Sequence, residues 1–328
     1  MKLAEITAHL IHTFPHESDL MKAIEEISRK FTTERAKIGD YLKDERLVSA
    51  YTAFYLATNV PKLASIMKWM PHEWKESVKG KPLIDLGAGP GTFSLAWREL
   101  FGPGEFIQVE NSEAMKKQAR KLWDGNFPAQ EMKHTGLVTD GVILFGHSAN
   151  EMDVETVIQY IERYSPTDIL FIEPGTPEFF AKMLDIRSEL IRSGWHVLYP
   201  CPKESECPMR KTSDWCHQFI HVSHDPEVER LSQIMRLDRK LLPLTVQLFS
   251  RTEYQKPAER LVRVIPETKF SFEWEVCHNN KLEDYQVMKR GMEKATEKRV
   301  GNLLSGTPLE TELDKDVSGK KRVKLKNF

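Results

Sequence analysis

Leu83-Ile84-Asp85-Leu86-Gly87-Ala88-Gly89-Pro90-Gly91-Thr92 is the stretch whose reading decides the fold. Its first four residues form an apolar run of strand length. Three glycines then follow at alternate positions, where the backbone can turn sharply and approach a ligand with no Cβ in the way. Phe93 to Leu100 continues with helix-compatible spacing. A strand, a glycine turn and a helix in that order build the crevice at which open α/β sheets bind ligands.

A dinucleotide fingerprint wants a third small residue three places after its second glycine. Counting from Gly89 that place is Thr92, and Pro90 stiffens the loop. A ligand without a pyrophosphate fits better. S-adenosylmethionine is the expected cofactor, with Gly87, Gly89 and Gly91 as its cradle and Asp85 available to its ammonium end. About twenty residues on, Phe106-Ile107-Gln108-Val109 ends in Glu110, a carboxylate suited to both ribose hydroxyls. A structural glycine turn with a solvated Glu110, or a different nucleotide cofactor, are the competing readings.

Working outward, short apolar runs at Pro82–Leu86, Glu105–Glu110, Gly141–Phe145 and Asp168–Glu173 alternate with helical patterns at Ser112–Trp123, Asp153–Tyr164 and Glu178–Ser193. That alternation predicts a parallel sheet covered on both faces; with the glycine loop it reads as a methyltransferase-type α/β domain. Upstream, Ile24, Ile27, Phe31, Tyr51, Phe54 and Tyr55 recur at helical spacing, with Pro61 as a break, so residues 1–75 are expected as a helical extension. Residues 76–280 are expected as the methyltransferase-like domain, with a cysteine-rich insertion at 200–225. The sheet is expected to resume at Leu244–Phe249 and Phe270–Cys277. Residues 281–328 end Lys320-Lys321-Arg322-Val323-Lys324-Leu325-Lys326 and are expected as a polar, basic, partly disordered tail.

Strand ends are where transfer chemistry sits in such sheets. After Phe145 come Gly146-His147-Ser148-Ala149-Asn150-Glu151, making His147, Asn150 and Glu151 the candidate catalytic residues, to orient a substrate or accept a proton. Asn150 and Glu151 equally suit the cap of a helix starting near Asp153. The Asn-Pro-Pro-aromatic run of many amino-group methyltransferases is missing. Glu173 opens the rigid turn Glu173-Pro174-Gly175-Thr176-Pro177 and is a further candidate for cofactor contact, because a carboxylate at a strand's C-terminal end faces the crevice.

Composition narrows the partners. Hydrophobic residues make up 40% of the 328 and charged residues 29%, which excludes a mainly disordered chain; a net charge of -1 means that any nucleic-acid surface must be a local patch. No apolar run spans a bilayer, and Met1–Pro15 has neither a signal core nor an Arg-rich transit composition, so a cytoplasmic monomer with no membrane contact is the expectation. Four cysteines in a chain this long are no disulfide framework. Cys201, Cys207, Cys216 and Cys277 have the chemistry for zinc or an iron–sulfur cluster, while their spacing fits neither a zinc ribbon nor a radical enzyme; scattered buried thiols remain the alternative. His217, His221 and His224 add imidazoles to the same region.

The glycine loop, Glu173-Pro174-Gly175-Thr176-Pro177, Cys201-Pro202, Cys207-Pro208-Met209 and Asp214-Trp215-Cys216-His217 occur here in that order. In this the chain, over roughly Ser49 to Cys277, resembles the methyltransferase-like assembly factors of the mitochondrial small ribosomal subunit and their bacterial relatives. The resemblance implies a Rossmann-like methyltransferase core, association with small-subunit ribosomal RNA, and a [4Fe-4S] cluster on Cys201, Cys207, Cys216 and Cys277, ahead of zinc. Two departures stand out: Lys203 replaces the histidine usual after the first Cys-Pro, and a C-terminal Trp-Gly-Asp element is missing. Three functions follow as expectations: methyl transfer to that RNA, ribosome assembly by a protein that keeps the pocket without turnover, or methylation of a protein or small molecule.

Overall fold

A computed structural model describes residues 14–32, 44–136, 138–237, 240–317 and 319–326. The leader reading over Met1–Pro15 lies almost wholly outside them. The chain forms two compact units, one from the described residues up to Lys68 with Val78–Ser148 and His221–Leu242, the other from Trp69–Ser77, Ala149–Ile220 and Pro243 onward.

In the first unit, α1 (Glu17–Thr32) turns Leu20, Ala23, Ile24 and Ile27 to one side, where they are fully buried against Leu47, Phe54 and Tyr55 and against Val228 and Leu231 of α9 (Pro226–Ile234). A continuous helical run follows: α2 (Glu45–Ala50), a π-helical turn at Tyr51–Leu56, and α3 (Ala57–Ile66). Pro61 lies inside α3 and does not break it, contrary to expectation. The widened π register just upstream loosens the turn that the proline ring would otherwise crowd.

The sheet of this unit is parallel throughout, in the order β3 (Met132–Lys133), β2 (Phe106–Val109), β1 (Leu83–Leu86), β4 (Val142–Gly146). β1 is buried along its length, as an interior parallel strand must be. Helix α5 (Thr92–Phe101) leaves the glycine turn, and α6 (Glu113–Asp124) starts at Ser112, whose hydroxyl accepts from the Met115 N–H. This is the α/β arrangement with a parallel sheet expected from the sequence.

In the second unit, α4 (His72–Ser77) places Trp74 so that its indole donates to Asp168 Oδ1 at 3.0 Å, both side chains being fully buried. α7 (Val154–Tyr164) is capped by Asp153, and α8 (Pro177–Arg192) by Thr176 with Pro177 in its first turn. β5 (Asp168–Pro174) and β6 (His196–Tyr199) both pair antiparallel with β8 (Leu241–Ser250). The sheet is therefore mixed rather than parallel throughout, because β8 runs opposite to both β5 and β6; β7 (Gln218–His221) also pairs with β8.

The largest departure from the sequence reading lies at the C-terminal end. β9 (Glu259–Ile265), β10 (Ser271–His278) and β11 (Lys281–Met288) form an antiparallel meander, followed by α10 (Lys294–Gly301), β12 (Pro308–Leu309), β13 (Thr311–Val317) and β14 (Lys320–Leu325). β12 pairs with β9, β13 with β14, and β14 runs parallel to β11. The two outermost strands of this sheet, β12 and β13, are separated only by Glu310, so the sheet closes on itself. With β12 and β13 counted as one strand interrupted at Glu310, the barrel has five strands with its helix between the third and fourth, the connectivity of an OB fold.

Phe270–Cys277 thus belongs to a separate barrel and not to the resumed α/β sheet, and the basic tail is ordered strand. Leu261, Phe272, Trp274, Tyr285, Val287 and Val323 fill its core. The turn between β10 and β11 is Asn279-Asn280, both at positive φ, as a two-residue hairpin of the favoured twist requires. Composition hid this element because its lysines and acids alternate with the core residues and pair across strands, Lys321 with Glu283 at 2.7 Å and Lys320 with Glu273 at 3.1 Å. No described helix is long and apolar enough to cross a membrane.

The Trp74–Asp168 contact yields a prediction for stability. Trp74→Phe deprives a buried carboxylate of a donor and is expected to cost about 1–3 kcal/mol in urea denaturation. An unchanged midpoint would mean that Asp168 finds its stabilisation elsewhere.

Candidate functional site

In the first unit the glycine turn is held from below. Val109 O accepts from the Gly87 and Ala88 N–H groups at 2.8 and 3.2 Å, which pins the loop to the end of β2. Gly87, Gly89 and Gly91 all have positive φ, at 70, 55 and 84°. A Cβ on Gly87 would stand 2.4 Å from Ser148 Cβ and one on Gly91 2.6 Å from Gln108 Nε2, whereas one on Gly89 would meet nothing within 4 Å. Gly87 is demanded by packing against the Ser148 Cβ, Gly91 faces the end of the Gln108 side chain and is favoured by its positive φ, and Gly89 borders open space.

Asp85 is 1% exposed. Its Oδ2 accepts from the Ser94 N–H at 3.0 Å and the Ser94 hydroxyl at 2.8 Å, in the first turn of α5. Burial pushes its carboxyl up to about 6, against the pull of the Ser94 bonds. Glu110 spends one oxygen on the Gly89 N–H and the other on the Ser112 N–H, each at 2.8 Å. A carboxylate has about four lone-pair positions, so Glu110 keeps acceptor capacity while its orientation at the loop is set. Gln108, buried beside Gly91, has neither amide atom hydrogen-bonded.

His147 follows β4 with φ of 61°, a left-handed conformation that costs a non-glycine residue about 1 kcal/mol or more. Its Nε2 lies 2.8 Å from the Nζ of Lys62, itself only 5% exposed. An ammonium only donates, so the His147 Nε2 lone pair is occupied by Lys62. The sequence reading missed Lys62; the signal was a lysine as the one charged residue of the Val60 to Ile66 segment.

In the second unit Asn150 and Glu151 lie in a short 3-10 turn, Ala149–Glu151. Glu173, fully buried on β5, accepts from the Ala149 N–H at 2.8 Å and from the Asn150 side-chain amide at 2.9 Å. Lys182 Nζ donates to the carbonyls of Asn150, at 2.8 Å, and Met152. Glu173 thus organises a turn, and Glu151 is exposed. The cap of α7 is Asp153, so neither Asn150 nor Glu151 serves as its helix cap.

The same unit gathers Cys201, Cys207, Cys216 and Cys277 around one cavity, with Arg187 and Arg260 among its other lining residues. All four are free thiols. Cys201 follows β6, Cys207 precedes a 3-10 turn at Pro208–Lys211, and Cys277 sits on β10 opposite Arg260 of β9. Arg187 and Asn280 clamp the intervening loop, Arg187 Nη2 donating to the Lys203 and Ser205 carbonyls at 2.9 and 3.0 Å.

Arg260, 4% exposed, donates from Nη2 to Cys216 Sγ at 2.9 Å, while its Nε and Nη1 have no partner. Burial pushes the Cys207 thiol up to about 11 and that of Cys277 to about 12; it raises Cys216 too, with Arg260 opposing. Among the described residues no group of three or more histidine, cysteine, aspartate or glutamate side chains is placed to hold a metal ion. The structure brings the four cysteines together without assigning them a metal, and the cluster expected from the resemblance is not shown. Of the three histidines, His217 stacks on Trp215 and His224 Nε2 lies 3.3 Å from the Thr58 carbonyl.

Among solved structures, the chain is similar to the mitomycin 7-O-methyltransferase MmcR, with a TM-score of 0.41 and 14% identity over 74% of this chain and 70% of that one. It is also similar to precorrin-6y C5,15-methyltransferase from Geobacter metallireducens, with a TM-score of 0.34 and 13% identity over 54% and 85% of the two chains. TrmK of M. capricolum, solved with S-adenosyl-homocysteine, gives a TM-score of 0.33 and 6% identity over 56% and 70%. No curated protein matches the chain. The family described as mitochondrial small ribosomal subunit Rsm22 matches residues 45–293. With its glycine loop, its gathered cysteines and three quarters of its length covered by that match, the chain belongs to the Rsm22 family.

Proposed function

We propose that this chain is an S-adenosylmethionine-dependent methyltransferase-like protein of small ribosomal subunit biogenesis, acting on the RNA of that subunit. The observation that carries the reading is the open space at Gly89 within a loop otherwise closed by packing, with Glu110 oriented at its edge. When bound, the cofactor supplies an electrophilic methyl group on a sulfonium. The residues of the chain bind and orient it. Gly89 lets the backbone approach, Glu110 receives the ribose hydroxyls with its remaining lone pairs, and the buried Asp85 carboxylate attracts the ammonium end. Proximity of the methyl group to its acceptor then provides most of the rate. Family membership supports the ribosomal target.

The finer reading of the cysteine cavity is a [4Fe-4S] cluster on Cys201, Cys207, Cys216 and Cys277, with zinc as the alternative. Four thiolates carry a charge that a buried cation offsets, and Arg260 supplies one with two N–H-bearing nitrogens unpartnered. Such a cluster, held by these four thiolates, would clip the Cys201–Cys216 loops to β10.

A second reading, an assembly factor that keeps the pocket without turnover, is favoured by two hydrogen bonds. His147 Nε2 is occupied by Lys62, and the Asn150 amide is held by Glu173, which leaves these groups less free for proton transfer. Labelled methyl transfer to immature small subunits distinguishes the two.

Three tests follow. Gly89→Ala is expected to weaken S-adenosylhomocysteine binding in calorimetry at least tenfold, on the order of 1.4 kcal/mol. Gly80→Ala is the matched control, since Gly80 has φ of 77° and equally open surroundings outside the loop; equal losses in both would sink the cradle.

Asp85, raised to about 6 in the folded state against an unfolded value near 3.9, holds its proton longer when folded. Its contribution to stability therefore falls as pH rises from about 4 to 6. Asp85→Asn should gain on the wild type over that window, by up to about 3 kcal/mol in denaturant titrations; parallel profiles would contradict the assignment.

Protein purified anaerobically is expected to contain about four iron and four labile sulfide per chain, lost in Cys216→Ser. Zinc without sulfide would replace the cluster assignment.

A further inference from the structure

Arginine is almost never fully buried unless it is paired, and the cysteine cavity buries two. Arg187 of α8 is 2% exposed and Arg260 of β9 4%, yet no aspartate or glutamate stands among the described residues that line the cavity. Arg187 spends Nη2 on the Lys203 and Ser205 carbonyls, and its Nε has no partner. Arg260 spends Nη2 on Cys216 Sγ at 2.9 Å, and its Nε and Nη1 have none. Two positive charges are thus held against apolar walls of Phe180, Leu184, Met209, Val262 and Leu282, with three donor nitrogens unused.

A buried cation without a counter-charge is costly, and the only groups in the cavity able to carry one are the thiols. Arg260 acts electrostatically on Cys201, Cys216 and Cys277, and Arg187 on Cys207, so each of the four faces one of the two guanidinium groups. Cross-strand register also sets Arg260 directly opposite Cys277.

The charges can be added. The guanidinium pair contributes about +2, and four thiolates around an oxidised [4Fe-4S] core leave about −2, so the cavity is close to neutral with that group bound. One further electron takes the total to about −1; without Arg260 the same electron would take it from about −1 to about −2 in the same apolar surroundings. A buried excess of negative charge resists reduction, and a cation beside the ligating sulfurs removes part of that resistance. The N–H on Cys216 Sγ works in the same direction, since a hydrogen bond to a ligating sulfur is stronger on the more negative state.

We propose that Arg260 sets the reduction potential of the cluster, its buried charge and its N–H on Cys216 Sγ raising it above what four thiolates in an apolar pocket give. The proposal rests on the [4Fe-4S] reading above. It adds that a side chain outside the ligand set fixes how readily the centre takes one electron.

The test is a redox titration of the full chain, purified anaerobically, with dithionite as the electron donor acting through mediators. The reduced state is read by electron paramagnetic resonance, and iron and labile sulfide are counted in every sample. Arg260→Gln removes the charge and keeps an amide donor. It is expected to lower the reduced-to-oxidised ratio at a fixed potential by at least tenfold, a fall of about 59 mV in the midpoint. Arg260→Lys keeps the charge on a flexible stem without the rigid fork, and its midpoint is expected between those of the wild type and Arg260→Gln.

A wild-type midpoint in loaded Arg260→Gln overturns the proposal. So does an Arg260→Lys midpoint as low as that of Arg260→Gln, which would mark packing rather than charge. If Arg260→Gln holds no iron, Arg260→Lys decides: a midpoint below the wild type upholds the proposal, and one at or above it, or no iron there either, overturns it. Failure of the wider reading has its own signature, because wild-type protein with zinc and no sulfide removes the cluster before any variant is compared, and the proposal with it.

Discussion

Carboxylates buried in strands must be hydrogen-bonded or neutral, and that constraint organises both units. In the first, Asp85 ties β1 to the opening turn of α5 through Ser94, which fixes the angle at which the helix leaves the glycine loop. In the second, Asp168 joins β5 to Trp74, and Glu173 at the other end of that strand shapes the Ala149–Glu151 turn. Each acid converts a strand position into an anchor for the next element. Asp85 is the costly member, since Ser94 does not fully offset its desolvation and its carboxyl is raised to about 6. A cationic group of a ligand beside it would relieve that cost.

The cysteine cavity follows the opposite logic, a buried cation among thiols. Arg260 lies one strand away from Cys277 and bonds Cys216, so it links the barrel to the loop that carries the other cysteines. Arg187 and Asn280 immobilise the segment between Cys201 and Cys207 by bonding its carbonyls. The loop is thus ordered by protein groups. Its position against β10 also makes the Asn279-Asn280 turn part of the same assembly.

Helical periodicity, the capping residues Ser112, Asp153 and Thr176, and the strand–glycine–helix order were legible because they are local: each depends on residues within one turn of one another. The same locality explains the misses. Pro61 reads as a break until the π turn before it is known, and residues 281–328 read as a solvated tail because their charges outnumber their core residues. Only cross-strand pairing reveals Tyr285, Val287 and Val323 as one face of a closed barrel. Lys62 escaped because its partner is 85 residues away.

For the candidate site, the sequence alone picked out the glycine turn, Asp85 and Glu110, because a glycine turn at positive φ is a backbone requirement written directly in residue type. It also identified the four cysteines as a set. The tertiary structure decided what those groups face: that Glu110 is oriented by two backbone amides, that Glu173 serves a turn, that His147 is bonded to Lys62, and that Cys277 meets the others from a different sheet beside Arg260. These are long-range hydrogen bonds and burials, and neither can be read from residue spacing, since spacing carries no information about which distant segment supplies the partner.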